Sequence, residues 1–300
     1  MNQLKFDIII KNGRVMDGSG NTWYHADVGI KGSRITEIND LSNATASRVI
    51  NAKGMIVAPG FIDIHSHSDY PVLIEPEVHS KIRQGVTTEV IGNCGSSAAP
   101  MNKILSEYRE KYDKSQLGEK FAFSWNSMKE YLDIIRVKGA SFNIVPLTGH
   151  GTLRQNIIGN DNRAPTGPEL NDMKELLTRS LDEGSWGLST GLIYTPNLYA
   201  KTDEIIELVR ILEKYDGLYT SHIRGEGDTL IEALEEAISI GKETGVSVQV
   251  SHFKACGSRN WGKTEDTLKM IQDARDSDID ITFDQYPYIA SSTGLTALLP

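Results

Sequence analysis

Two rhythms of apolar residues divide the chain. Up to about residue 56, short runs alternate apolar and polar positions around glycine-containing turns: "FDIIIKNGRVMDG" offers Asn12-Gly13 and "DVGIKGSRITEI" offers Gly32-Ser33. Period-two alternation broken by such dipeptides predicts β-hairpins, so residues 1–56 are expected to form a small β-domain. After Pro59 the runs become more continuously apolar and β-branched. In order they are "GFIDIHSH", "GVTTEVIGNCG", "FNIVPLTGHG", "GLSTGLIY", "GLYTSHIRGEG", "VSVQVSHFK" and "ITFDQYPY". Between them stand segments such as "ELNDMKELLTRSLDEG" and "TLIEALEEAISIGKETG", apolar at i, i+3 and i+4 with glycine at their ends. That spacing predicts amphipathic helices.

Strands alternating with helices imply βα units and a parallel sheet. Repetition through seven units favours an α/β fold of the (β/α)8 TIM-like barrel type over residues 57–300, here lacking its last strand. A doubly wound sheet is the competitor, but its glycine-rich phosphate loop would follow the first strand, where "IDIHSHSD" stands instead.

The polar, chemically able residues fall at the ends of these runs, and in a barrel the C-terminal strand ends form the face on which active sites are built. The first run ends in His65 and His67, which share one face of an extended strand with Asp63 while Ile62, Ile64 and Ser66 share the other. The second ends in Cys94, the third in His150, the fifth in His222, and the sixth in His252 followed by Lys254. Any one alone has an ordinary structural explanation; His150, for instance, could bond the turn between its flanking glycines. Coincidence at several strand ends is harder to explain that way. His25 and His79 fall outside the pattern and are read as structural, and Cys256 as inert packing.

A thiolate with imidazoles suits zinc, whereas magnesium and calcium prefer oxygen ligands. Cys94, His222 and His252 are expected to form a tight site. His65 and His67 would hold a second, weaker position on the opposite wall, sharing Cys94. Such an ion makes a nucleophile of water near neutral pH and polarises a carbonyl, so hydrolysis is the implied reaction.

Composition narrows the partners. The 31 basic and 40 acidic residues leave a net charge of −9, which argues against nucleic acid or an anionic membrane and makes an anionic substrate depend on a local cation. The start "MNQLKFDIIIKNG" lacks the cationic and apolar regions of a signal peptide, and no apolar run reaches membrane-spanning length, so a cytoplasmic location is expected. Two cysteines are too few for a disulfide framework.

The motif "PGFIDIHSHSD" resembles the first-strand signature of the amidohydrolase superfamily. "GVTTEVIGNCGSSAAP", "GHGTLR", "STGLIYTP", "SHIRGEG", "SHFKACG" and "DQYPYIASSTGLTALLP" together resemble its N-acyl-D-amino-acid deacylase (D-aminoacylase) branch, from the N-terminal β-domain to residue 300. The resemblance implies a β-sandwich-type N-terminal domain and a zinc enzyme. Cys94, His222 and His252 would hold the metal, and His65 and His67 would complete a weaker second site. It also implies hydrolysis of the amide bond of an N-acyl-D-amino acid, with Lys254, Tyr194 and Tyr286 receiving the substrate. Many relatives bridge two metals with a carboxylated lysine on the fourth strand. "GLSTGLIYTP" has none, which points away from dihydroorotases and hydantoinases and gives the bridging part to Cys94.

The chain departs from the family at its end. Seven strands are counted, and no residue matches the Asp that relatives place on the eighth to take the proton of the attacking water; Asp284 and Asp69 stand elsewhere. The expectation is therefore that these residues are the front part of a longer deacylase. The alternatives are a cyclic-amide hydrolase and a non-catalytic metal-binding paralogue.

Overall fold

The computed structural model describes residues 5–112 and 121–298, so Leu299 and Pro300 of the closing "STGLTALLP" segment lie outside the described residues. The chain divides into two compact units, Met1–Phe61 and Ile62–Pro300.

The smaller unit is a sheet of β1 (Lys5–Val15), β2 (Tyr24–Lys31), β3 (Arg34–Asn39), β4 (Thr45–Asn51) and β5 (Ile56–Val57), in the order β3-β2-β1-β4 with β5 also pairing β1. Gly32-Ser33 joins β2 to β3 as expected, with Gly32 at φ +55°. Asn12-Gly13 does not turn the chain. β1 runs straight through it, and the register against β2 shifts between Ile10 and Gly13 with Asn12 at φ 63°. The dipeptide signals a left-handed residue, and a bulge uses that conformation as readily as a hairpin does. Phe6, Ile9 and Leu41 form the core of this unit.

The larger unit alternates strands and helices. Its strands are β6 (Phe61–Asp63), β7 (Val86–Ile91), β8 (Asn143–Pro146), β9 (Thr148–Gly149), β10 (Gly187–Gly191), β11 (Leu218–His222), β12 (Ser247–Val250) and β13 (Ile281–Phe283). They form two sheets, ordered β6-β7-β8 and β13-β12-β11-β10-β9. Every one of the seven predicted runs contains a strand, the third being split into β8 and β9. The pairs β7–β8, β9–β10, β10–β11, β11–β12 and β12–β13 are parallel. Parallel pairing carries the chain back through a helix after each strand, so successive strand ends collect on one side. The mixed α/β architecture read from the pattern is the one observed.

The connecting helices show why they form. Gly167–Asp182 opens on a capping box in which Thr166 and Glu169 satisfy each other's backbone donors. Leu230–Thr244 ends at Gly245, whose φ of +69° closes the helix at no steric cost. Their apolar stripes, Met173, Leu177 and Leu181 on one and Ala233, Leu234, Ala237 and Ile240 on the other, pack with Leu188, Tyr219, Val248 and Ile281 of β10 to β13. A second core of Val72, Ile91, Met101, Trp125, Met128 and Tyr131 gathers around β7. Among the described residues no helix is long and apolar enough to cross a membrane.

Leu188 has no exposed surface, whereas Val137 is 87% exposed. Leu188→Ala should therefore cost about 2–5 kcal/mol through lost burial and the cavity left behind, and Val137→Ala no more than about 0.5 kcal/mol. Denaturant unfolding of both variants measures the difference; equal losses would show that β10 is not at the centre of the core.

Candidate metal centre

Past the end of β7 the chain makes a tight turn, and Cys94 adopts φ +53° with Gly95 following at +74°. His252, just past β12, sits at φ +37°. Left-handed backbone is unfavourable for residues bearing a side chain and persists only where the surroundings enforce it. Here it swings both side chains toward one point. Cys94 Sγ lies 3.3 Å from His65 Nε2, 3.6 Å from His252 Nε2 and 3.8 Å from His222 Nδ1.

Two sets of potential ligand atoms result. One comprises His65, His67 and Cys94, the other Cys94, His222 and His252, and within each set the atoms lie within 4.8 Å of one another. Cys94 is common to both, so a single sulfur stands between two sites. Of these residues His222 is buried, His65 and His252 are half-buried and His67 is exposed. Burial pushes the Cys94 thiol up to about 12 and holds the His222 imidazole down to about 3. At neutral pH the thiol is protonated and the His222 imidazole neutral.

Two carboxylates stand behind the rings. Glu226 Oε1 is 2.9 Å from His252 Nδ1 and 3.7 Å from His222 Nε2, and it also pairs with Lys254. Burial works against ionising Glu226, but the hydrogen bond with His252 and the charges around it hold its carboxyl down to about 2. Asp284 Oδ1 accepts the His252 backbone N–H at 2.7 Å, while Oδ2 accepts from Gln249 at 3.1 Å and lies 3.5 Å from His65 Nδ1. Glu226 engages the face of the His252 ring turned away from the sulfur, the usual arrangement for directing the other nitrogen at a metal, and Asp284 lies behind the His65 ring in the same sense.

The three residues expected to meet a substrate border the same space. The Lys254 ammonium lies 5.6 Å from the Tyr286 ring centroid and donates to the His252 carbonyl at 2.8 Å. The Tyr194 ring centroid is 5.0 Å from that of His222, and its hydroxyl is 2.8 Å from Thr293 Oγ1. Lys254 also pairs with Glu226, so the same ammonium has a structural partner beside this placement.

Other readings need correction. His150 does not join the cluster: it opens the helix His150–Ile157 and points away into a fully buried contact with Glu204. Arg224, in the loop that carries Glu226, bonds Glu236 through Nε at 2.9 Å and Nη2 at 2.8 Å. Cys256 is exposed and hydrogen-bonds Glu226 rather than filling a core. Gly191 leaves room for the neighbouring turn, since a Cβ there would meet the Cys94 carbonyl oxygen at 2.1 Å. Gly151 is similar, with Asn197 Nδ2 at 2.3 Å from the same imagined atom. His25 lies in β2 with its ring against Trp23, and His79 pairs with Glu77 at 2.7 Å. The roles of Glu226 and Asp284 behind the rings were missed, because nothing in "HIRGEGD" or "FDQYPY" marks which way a carboxylate faces.

This constellation agrees with what the chain resembles. Residues 48–277 match the model of the Amidohydrolase family. The D-aminoacylase of Alcaligenes xylosoxydans xylosoxydans is 39% identical over 290 residues, covering 97% of this chain and 59% of that protein. A D-aminoacylase structure described as having a binuclear metal centre aligns with a TM-score of 0.87 at 39% identity, covering 95% of this chain and 59% of that one. The N-acyl-D-glutamate deacylase of Bordetella bronchiseptica, solved with zinc and a phosphonate mimic of the tetrahedral intermediate, aligns at 0.86 and 36% identity, with 95% and 59% covered. The chain thus spans about three-fifths of the relatives it matches. With the family model matching well over half of its residues, the chain belongs to the amidohydrolase family.

Proposed function

We propose that the protein hydrolyses the amide bond of N-acyl-D-amino acids, releasing a D-amino acid and a carboxylate, with zinc as its cofactor. The observation that carries this reading is the convergence of one sulfur with imidazoles at 3.3, 3.6 and 3.8 Å, drawn from strand ends far apart in sequence. The names of the relatives supply the substrate class. We take the seven strands as those of a (β/α)8 barrel spanning residues 57–300 without its last strand, after a small β-domain of residues 1–56.

The donor set fits zinc: a thiol and imidazole nitrogens whose potential ligand atoms lie within 4.8 Å of one another in each set, with carboxylates standing behind the rings. Cys94, His222 and His252 hold the tight site, and His65 and His67 share Cys94 in the weaker one. When bound, the ion supplies Lewis acidity to the acyl carbonyl and acidifies water.

The remaining work falls to the protein. Glu226 accepts the proton on His252 Nδ1, which leaves Nε2 free to ligate. Lys254 Nζ meets Glu226, the His252 carbonyl and His252 Nδ1, the last two at 2.8 Å, and as the cation beside these rings it receives the substrate carboxylate. Tyr194, whose ring lies 5.0 Å from that of His222, and Tyr286, whose ring lies 5.6 Å from the Lys254 ammonium, offer hydroxyls to the substrate.

Full-length protein loaded with zinc should release D-amino acids from N-acetyl-D-amino acids and leave the L-enantiomers, hydantoins and dihydroorotate untouched. Exclusive ring opening of the cyclic amides would overturn the proposed reaction. Protons and metal compete for Cys94, so zinc uptake at neutral pH should release a proton and affinity should rise with pH. Titration in weak buffer measures this; a Cys94→Ala protein releasing as many protons would exclude the thiol as their source. Glu226→Gln should lower zinc affinity about 10- to 100-fold, read by competition with a chromogenic chelator.

A further inference from the structure

Behind the thiol lies a second buried polar cluster that the proposed chemistry leaves unused. Arg154 Nη1 donates to both oxygens of Glu204, at 2.6 and 2.7 Å. His150 Nε2 is 2.9 Å from Glu204 Oε1, and its Nδ1 is 3.1 Å from Asn197 Oδ1. Neither His150 nor Arg154 has any exposed surface, and Glu204 and Asn197 are buried. Ionised groups withdrawn this far from water are retained only where they satisfy one another. Although burial opposes it, the hydrogen bonds from His150 and Arg154 hold the Glu204 carboxyl below its ordinary range.

The cluster has a direction. Both nitrogens of His150 lie within hydrogen-bonding distance of oxygens, so the ring links the Glu204 carboxylate to the Asn197 side-chain oxygen. That oxygen also accepts the Gly191 N–H at 3.3 Å. It rests directly against Gly95, where a Cβ would come within 2.2 Å of it. Asn197 is thus wedged between Gly95, Gly151 and Gly191, and Gly95 is the residue after the thiol. The same turn is tied by Gly95 N to Ser189 Oγ at 3.0 Å and by Thr152 N to the Gly95 carbonyl at 3.3 Å. Two successive left-handed residues, Cys94 and Gly95, need such enclosure.

We propose that Asn197, clamped through His150 by the Glu204–Arg154 pair, is a positioning residue that holds the Cys94–Gly95 turn so that the sulfur faces both sets of imidazoles. The proposal rests on the metal-centre reading and is tested on full-length protein titrated with cobalt(II) and with zinc. Wild-type protein should show thiolate-to-cobalt charge-transfer absorption that Cys94→Ala lacks; if wild-type protein lacks it too, the metal-centre reading fails and not merely this extension of it. Given that band, Asn197→Ala should weaken metal binding about 10- to 100-fold and diminish the absorption. Asn197→Asp, which keeps an accepting oxygen for His150 and Gly191, should restore most of both. If Asn197→Ala does not fold, as judged by far-ultraviolet circular dichroism, His150→Gln breaks the same clamp farther from the sulfur and should give the same loss. Folded Asn197→Ala or His150→Gln with wild-type affinity and spectrum would overturn the proposal, as would Asn197→Asp no better than Asn197→Ala.

Discussion

The larger unit is organised around one demanding juxtaposition: a thiol and several imidazoles held with their lone pairs turned toward each other. Neutral nitrogen and sulfur donors gain little from one another, so the arrangement must be enforced by its surroundings. Parallel β-structure gathers the strand ends on one side. The tightly packed core of Leu188, Tyr219, Val248 and Ile281 then fixes those ends relative to the helices. Left-handed backbone at Cys94 and His252 completes the approach.

Charge around the rings is balanced from outside. Glu226 and Asp284 turn their oxygens toward imidazole nitrogens on the far side from the sulfur, and Lys254 neutralises Glu226 without leaving the mouth. A divalent ion entering such a space meets ligands already oriented, and its charge is partly compensated by carboxylates that need not touch it. One ammonium therefore balances Glu226 and ties it to the His252 backbone.

His150 shows how a good sequence signal can belong to a different structure. It ends an apolar run with glycines on either side, as a ligand might, yet it lies one layer behind the site and engages Glu204 and Asn197. Asn12-Gly13 is a parallel case in the smaller unit, where a hairpin signal serves a bulge. In both, the local preference was read correctly and the use made of it was not, because a dipeptide or a strand end specifies backbone geometry and not the partner waiting there.

Apolar periodicity, glycine punctuation and the H-x-H, GNCG and SHFK motifs determined by themselves the alternation of strands and helices, the placement of polar residues at strand ends and the choice of thiol and imidazole chemistry. Those are local properties, fixed by side-chain spacing and by the intrinsic chemistry of each residue type. Only the tertiary structure decided that Glu226 and Asp284 rather than other acids stand behind the rings, and that His150 faces away. Each of these depends on distances between segments tens to hundreds of residues apart, which are set by packing and burial and leave no trace in the neighbouring sequence.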